Sequence, residues 1–361
     1  AVHRAVHTAV VVAVLGGVLV TVLGELAAGP ALRALNVPAE VLPYALLYLR
    51  IYLLGVPVIL LYNFEAAIFR SVGDTRVPLQ TLAFSGVLNV LLNLFFVIVL
   101  HMTVNGVATA TVLSNAISSV LLFVRLRRSD KAIHLEWTAL RIDRRSLQKI
   151  LQIGIPAGIQ SAVFSISNIV IQSAINSLGT VVMAASSAAF NIEVVAYDVL
   201  NSFSQACTTF VGQNYGAGKL DRCRKTLVLC LVEDALASGI AILLVLGSGH
   251  FLLSLFNRDP EVIALGYTRL MTVFTAYFFS MLYEVMSGYL RGFGISLVPA
   301  LLTMLGVCGV RILWIATAFP RSRTFQTILL AYPLSLAATA VLILLALLIY
   351  HPSRRTKGEA V

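Results

Sequence analysis

The chain has 361 residues, of which 59% are hydrophobic and only 12% charged, with a mean hydropathy of +0.91. A soluble globular domain carries roughly 25% charged residues, so water is not the main solvent here. The net charge of +10 lies in loops between apolar runs, which argues for membrane orientation and against nucleic acid as a partner.

A hydrocarbon core about 30 Å thick requires roughly 20 apolar residues per spanning helix, and ten segments reach that length. They fall at 5–27, 43–69, 78–100 and 104–124, then at 150–176, 181–212, 226–250, 266–290, 297–318 and 325–350. Residues 125–149, RLRRSDKAIHLEWTALRIDRRSLQK, form the only long polar segment, with room for a short surface helix. The expectation is an all-α polytopic membrane protein with an N-terminal lobe at 1–124, a linker at 125–149, a C-terminal lobe at 150–350 and a tail at 351–361. Nineteen Lys and Arg lie on the side of the linker and tail, against Arg33, Arg258, Arg321 and Arg323 on the other. This bias places the linker and C-terminus in the cytoplasm, with the chain in the inner (plasma) membrane.

The four cysteines form no CxxC pair and read as reduced packing residues, and the six histidines are scattered. No metal site or cofactor is expected. The loop GQNYGAGKL departs from a phosphate-binding loop, since Gln213 stands where the first Gly should be and Leu220 follows Lys219. Gly212, Gly216 and Gly218 are expected to permit a tight helix exit beside Gln213.

Residues 61–78, LYNFEAAIFRSVGDTRVP, recur at 282–299 as LYEVMSGYLRGFGISLVP. At an offset of 221, Arg70, Gly73 and Pro78 match Arg291, Gly294 and Pro299, as do Leu61, Tyr62 and Val77 with Leu282, Tyr283 and Val298. So long a period marks two pseudo-symmetric lobes of one membrane fold rather than a solenoid. Asp74 has no acidic counterpart at Ile295, so that turn reads as structural. The same offset places the partner of the fifth helix before residue 1, so two further helices, about 70 to 90 residues, are expected upstream in a six-plus-six, twelve-helix parent.

The stretches YLRIYLLGVP (48–57), FRSVGDTRVPL (69–79), IGIPAGIQS (153–161), FVGQNYGAGKLDR (210–222) and YLRGFGISLVP (289–299) resemble the MATE (multidrug and toxic compound extrusion) family. Within it, the chain is most similar to the bacterial branch resembling DinF. The resemblance implies an antiporter, not an enzyme, that exports small organic cations in exchange for H⁺ or Na⁺ by alternating access. In many members a coupling carboxylate sits on the first helix, which by the repeat is expected upstream of residue 1. A monomer is expected, with the lipid bilayer and small organic cations as its partners.

Charged side chains within a span are costly and need a reason. Glu284 heads the candidates: Tyr277, Ser280, Glu284 and Ser287 share one helix face, and its repeat counterpart is the neutral Asn63. It reads as a proton or Na⁺ site or an anchor for a cationic drug, or else as a carboxylate satisfied by a neighbouring Tyr or Arg. Glu193, Tyr197, Asn201 and Ser204 line one face of the 181–212 helix; Ser161, Ser165, Asn168 and Gln172 line one face of the preceding helix. Two such faces suit a shared water-accessible cavity, or plain interhelical hydrogen bonding. Glu65, Asn89 and Asn93 are candidates on the first lobe, while Glu233 and Asp234 read as neutralised near the interface by Arg224 and Lys225. Pro57, Pro156 and Pro333 are placed to kink their helices and free carbonyls toward the cavity, and Tyr62, Tyr277 and Tyr283 to stack on cations or to pack.

Two other classes compete. A flippase of lipid-linked oligosaccharide from the same superfamily would be expected to need a strongly basic cavity, whereas the in-span cations are only Arg50, Arg269 and Arg311. A membrane-embedded enzyme would need a catalytic cluster that the sequence does not show.

Overall fold

A computed structural model describes residues 2–34, 39–129 and 133–350. Among them are ten helices long and apolar enough to cross a membrane. They are α1 (Val2–Ala34), α2 (Leu42–Ser71), α3 (Arg76–Val99), α4 (Val104–Arg127) and α5 (Arg144–Asn176). The rest are α6 (Thr180–Gly216), α7 (Leu220–Ser254), α8 (Pro260–Gly292), α9 (Leu297–Thr317) and α10 (Phe325–Tyr350). All ten expected spans are present. The expected tail at 351–361 lies outside the described residues.

Several helices start one or two turns before their apolar run. α5 opens at Arg144, where the Asp143 carboxylate accepts the Ser146 backbone N–H at 3.0 Å and its hydroxyl at 2.8 Å. α8 opens at Pro260, with Asp259 accepting the Glu261 N–H at 2.9 Å. An N-cap acid with helix-compatible residues behind it starts a helix whatever the hydropathy of the first turn.

The chain divides into two compact units, residues 1–151 and 152–361. In the first, α1 packs along α2, α2 along α4, and α3 against α4. The polar connector is shorter than expected, because α4 runs to Arg127 and α5 begins at Arg144. It is also packed rather than loose. Ile133 and Leu135 are buried with Leu122, Leu126 and Phe69. His7 Nε2 accepts the Glu136 backbone N–H at 3.0 Å, and Thr8 Oγ accepts that of Asp143 at 2.9 Å. The short surface helix reduces to a 3₁₀ turn at Trp137–Ala139.

Pro57 leaves the Leu53 carbonyl without its helical donor. That carbonyl does not turn to a cavity, as expected from the sequence: the Thr21 hydroxyl of α1 donates to it at 2.7 Å. The proline therefore contributes to helix pairing.

In the second unit α8 is central, with α6, α7 and α10 all packed on it. Small residues let α6 approach. A Cβ on Gly288 would run into the Ser204 carbonyl oxygen. The Thr208 hydroxyl lies 3.0 Å from both the Ser204 and Gly288 carbonyls, and Ser204 Oγ donates to the Glu284 carbonyl at 2.8 Å. Close backbones with hydroxyl cross-links are how membrane helices associate without a hydrophobic driving force between them. Cys207, Cys223 and Cys230 pack in the α6–α7–α8 cluster, and all four thiols are buried and free.

The repeated turns share one geometry. After α2, Asp74 N–H bonds to Phe69 O at 3.1 Å and Gly73 N–H to Arg70 O at 2.9 Å; after α8, Ile295 N–H bonds to Leu290 O at 3.1 Å and Gly294 N–H to Arg291 O at 2.8 Å. Both are Schellman caps, with Gly73 at φ +82° and Gly294 at φ +83°, a conformation that a Cβ disfavours. Pro78 and Pro299 are each the third residue of the next helix, where a missing N–H costs no helical bond. Asp74 adds a cap, its carboxylate 3.4 Å from the Val77 N–H.

The GQNYGAGK segment differs from its expected form. α6 continues through Gly216, and only Gly218 has a positive φ, +73°. Gln213 is still helical, its carbonyl accepting the Ala217 N–H. Gly212 instead faces the Gly292 carbonyl of α8. An added Cβ would make only an ordinary contact there, so neither the packing nor the exit requires a glycine at this position.

Candidate substrate and coupling site

The second unit holds a cavity of about 260 Å³, just below the roughly 300–1,000 Å³ of common small-molecule sites. Its wall is largely aromatic, with Phe164 of α5, Phe190 and Tyr197 of α6, Tyr277 and Tyr283 of α8 and Tyr332 of α10. Asn168, Glu193, Ser280 and Arg311 add polar groups. Tyr283 also borders a second, water-sized cavity of about 30 Å³, where Glu284, Ser287, Arg291 and Gln160 meet.

Glu193 reaches this wall from α6 with its charge already matched. Arg269 of α8 grips it as a fork, Nε to Oε1 at 2.7 Å and Nη2 to Oε2 at 2.9 Å, with the side chains 3% and 6% exposed. Ser186 Oγ accepts the remaining Nη1 at 3.0 Å, and Tyr332 OH lies 3.4 Å from Nη2. The bidentate pairing satisfies both ions inside the protein.

Glu284 has a different environment. The Tyr197 hydroxyl donates to Oε1 at 2.9 Å, while Arg291 Nη2 stands 3.6 Å from Oε2. The Tyr and Arg that the sequence offered as alternative partners are thus both present. Arg291, expected only as part of the repeated turn, also donates to Ser204 Oγ at 3.0 Å. Arg291 is about one-third exposed and Glu284 one-tenth, so this is a looser pair than Glu193–Arg269.

The other candidates separate. Tyr277 is buried with its hydroxyl 3.4 Å from the Glu193 carbonyl, and Asn168 lines the larger cavity. Gln172 turns away to Asn176 at 2.7 Å, and Asn201 is half-buried and lines neither cavity. Ser161 and Ser165 return their hydroxyls to carbonyls of their own helix.

In the first unit, Asn63 is exposed and bonds to the Ile59 carbonyl. Arg70 is exposed at the turn. Glu65 is fully buried, accepting from Ser119 Oγ at 2.9 Å. Asn89 donates to Ser114 Oγ at 3.2 Å and receives Asn93. Glu65 and Asn89 thus form interhelical links, whereas Asn63 and Asn93 bond within their own helices.

Sequence reasoning missed three groups. The sequence marks Arg269 and Arg311 only as in-span cations, although the demand of a buried charge for a partner is a usable signal. Asp234, grouped with Glu233 by sequence, is fully buried and accepts from Ser238 Oγ at 2.5 Å, whereas Glu233 is exposed. One step along a helix turns a side chain by about 100°, enough to separate the two.

A family model described as MatE matches residues 1–95 and 156–316. The chain belongs to the MatE family. It is 27% identical over 305 residues to the probable multidrug resistance protein YoeA of Bacillus subtilis, covering 82% of this chain and 65% of that protein. The probable multidrug resistance protein NorM of Thermotoga maritima is 25% identical over 372 residues, 100% of this chain and 78% of that one. A MATE crystal structure in complex with MaL6 superposes with a TM-score of 0.90 at 19% identity, covering 98% of this chain and 80% of that one. That likeness carries the fold, an all-α multi-pass membrane protein.

Proposed function

We propose that this MatE protein is a secondary active exporter of small amphipathic organic compounds, driven by exchange for H⁺ or Na⁺ and working by alternating access in the plasma membrane. Relatives named for multidrug resistance support the cargo class, and the aromatic cavity of the second unit suits such a body. The linker side is assigned to the cytoplasm from the charge bias.

Glu284 is the proposed coupling group, and one observation carries the assignment. It is a carboxylate held by the Tyr197 hydroxyl at 2.9 Å beside a water-sized cavity, with only a loose guanidinium at 3.6 Å. Such a group exchanges a proton or small cation more readily than one locked in a fork. Glu193, by contrast, is assigned a structural role. The organic cation expected from the resemblance is not favoured by the charges of the larger cavity, where Arg269 neutralises the carboxylate.

The test uses full-length protein in proteoliposomes. An imposed H⁺ or Na⁺ gradient is expected to drive accumulation of an amphipathic dye. Glu284→Gln is expected to abolish the gradient-driven component while dye binding persists. Wild-type accumulation by Glu284→Gln would refute the coupling assignment.

A further inference from the structure

The larger cavity contains one charge that the fold does not balance. Arg311 of α9 is 7% exposed and lines the wall. Its Nε donates to Ser335 Oγ at 2.9 Å, and its guanidinium carbon lies 4.5 Å from the Tyr332 ring centroid. Among the described residues no carboxylate comes within ion-pair distance of it. The one acid among the described residues that line the wall, Glu193, is bound on both oxygens by Arg269.

An isolated cation within a span is costly unless it has a partner or a function. The hydroxyl and the ring face offset part of that cost but leave the net charge at +1. The guanidinium fork fits a carboxylate or sulfonate in a bidentate manner, whereas an organic cation would be repelled.

We propose that Arg311 makes this cavity an anion subsite, receiving the carboxylate or sulfonate of an amphipathic compound whose apolar body lies against Phe164, Phe190 and Tyr283. Asn168 on the same wall supplies a neutral amide to the polar end. That the ligand is cargo rests on the transport reading above; that it is anionic rests on the charges alone.

Two probes with the same body and opposite heads, pyrenebutyrate and pyrenebutyltrimethylammonium, test it by equilibrium dialysis. Full-length protein is used in phosphatidylcholine nanodiscs, with binding to protein-free discs subtracted. Wild type is expected to favour the anion by about tenfold or more, the range of a charge-assisted hydrogen bond. Arg311→Gln should bring the ratio near unity and Arg311→Lys should keep most of the preference.

A wild-type preference for the cation, or an unchanged ratio in Arg311→Gln, overturns the subsite and leaves transport standing. Failure of both probes to bind overturns both readings. The wild-type ratio alone decides if Arg311→Gln does not fold. Adding phosphatidylglycerol to the discs identifies the source of the anion: displacement of pyrenebutyrate points to a lipid headgroup, and its retention to a soluble compound.

Discussion

The Glu193–Arg269 pair permits a quantitative test of how the second unit is held together. Arg269→Met keeps the length of the side chain but removes two hydrogen bonds of 2.7 and 2.9 Å to Glu193. The carboxylate left behind is only 6% exposed with the guanidinium in place, so most of its surface faces protein and keeps no second cation. Removing one partner of a buried ion pair costs about 3–5 kcal/mol, while replacing both by apolar groups is often neutral or stabilising. For a unit of this size the single substitution should lower the melting temperature by on the order of 10 °C. Glu193→Gln should cost a similar amount, and Arg269→Met with Glu193→Leu should recover most of the loss. Thermal melts of the full-length protein in one detergent measure all four corners of the double-mutant cycle. If Arg269→Met melts with wild type, or if the double variant loses the sum of the single losses, the pair does not bear the load assigned to it.

Two further expectations concern the first unit. Thr21→Val should cost about 0.6 kcal/mol and no more than about 1.7, the average and the maximum measured for hydrogen bonds between membrane helices, and less in a Pro57→Ala background, where residue 57 regains an N–H for the Leu53 carbonyl; equilibrium unfolding of both pairs checks this. The Ser146 backbone N–H and hydroxyl, with smaller help from Arg4 and Arg145, hold the Asp143 carboxyl below its usual range. Because its folded value is depressed, its contribution is present above the unfolded value of about 3.9 and lost as pH falls through the folded one. Asp143→Ala should therefore raise hydrogen exchange in the first turn of α5 at neutral pH, with the difference from wild type vanishing in strong acid.

Much of the fold was legible in the sequence because the decisive signals are local. Length and apolarity suffice to mark a spanning helix, since every backbone polar group in lipid must bond within its own segment. The repeated turns were equally readable. A Schellman cap involves six consecutive residues, one of them a glycine, so Phe69–Asp74 and Leu290–Ile295 fold alike wherever the rest of the chain goes. Helix starts were less readable, because hydropathy marks where a helix enters the apolar core and not where an Asp143 or Asp259 caps it.

The site was legible as a set of residue types and not as a set of pairs. The sequence by itself determined that Glu193, Glu284 and Tyr197 lie on polar helix faces within spans, and that each in-span charge needs a reason. Only the tertiary structure decided that Arg269, 76 positions away, takes Glu193, that Tyr197 reaches Glu284 across 87, and that Arg311 is left without an acid. The physical reason is that periodicity specifies which face a side chain occupies, while its partner depends on which helix that face meets. Several carboxylates and guanidiniums competed at equal plausibility, and packing of α6 and α10 on α8, with α9 against α10, selected among them.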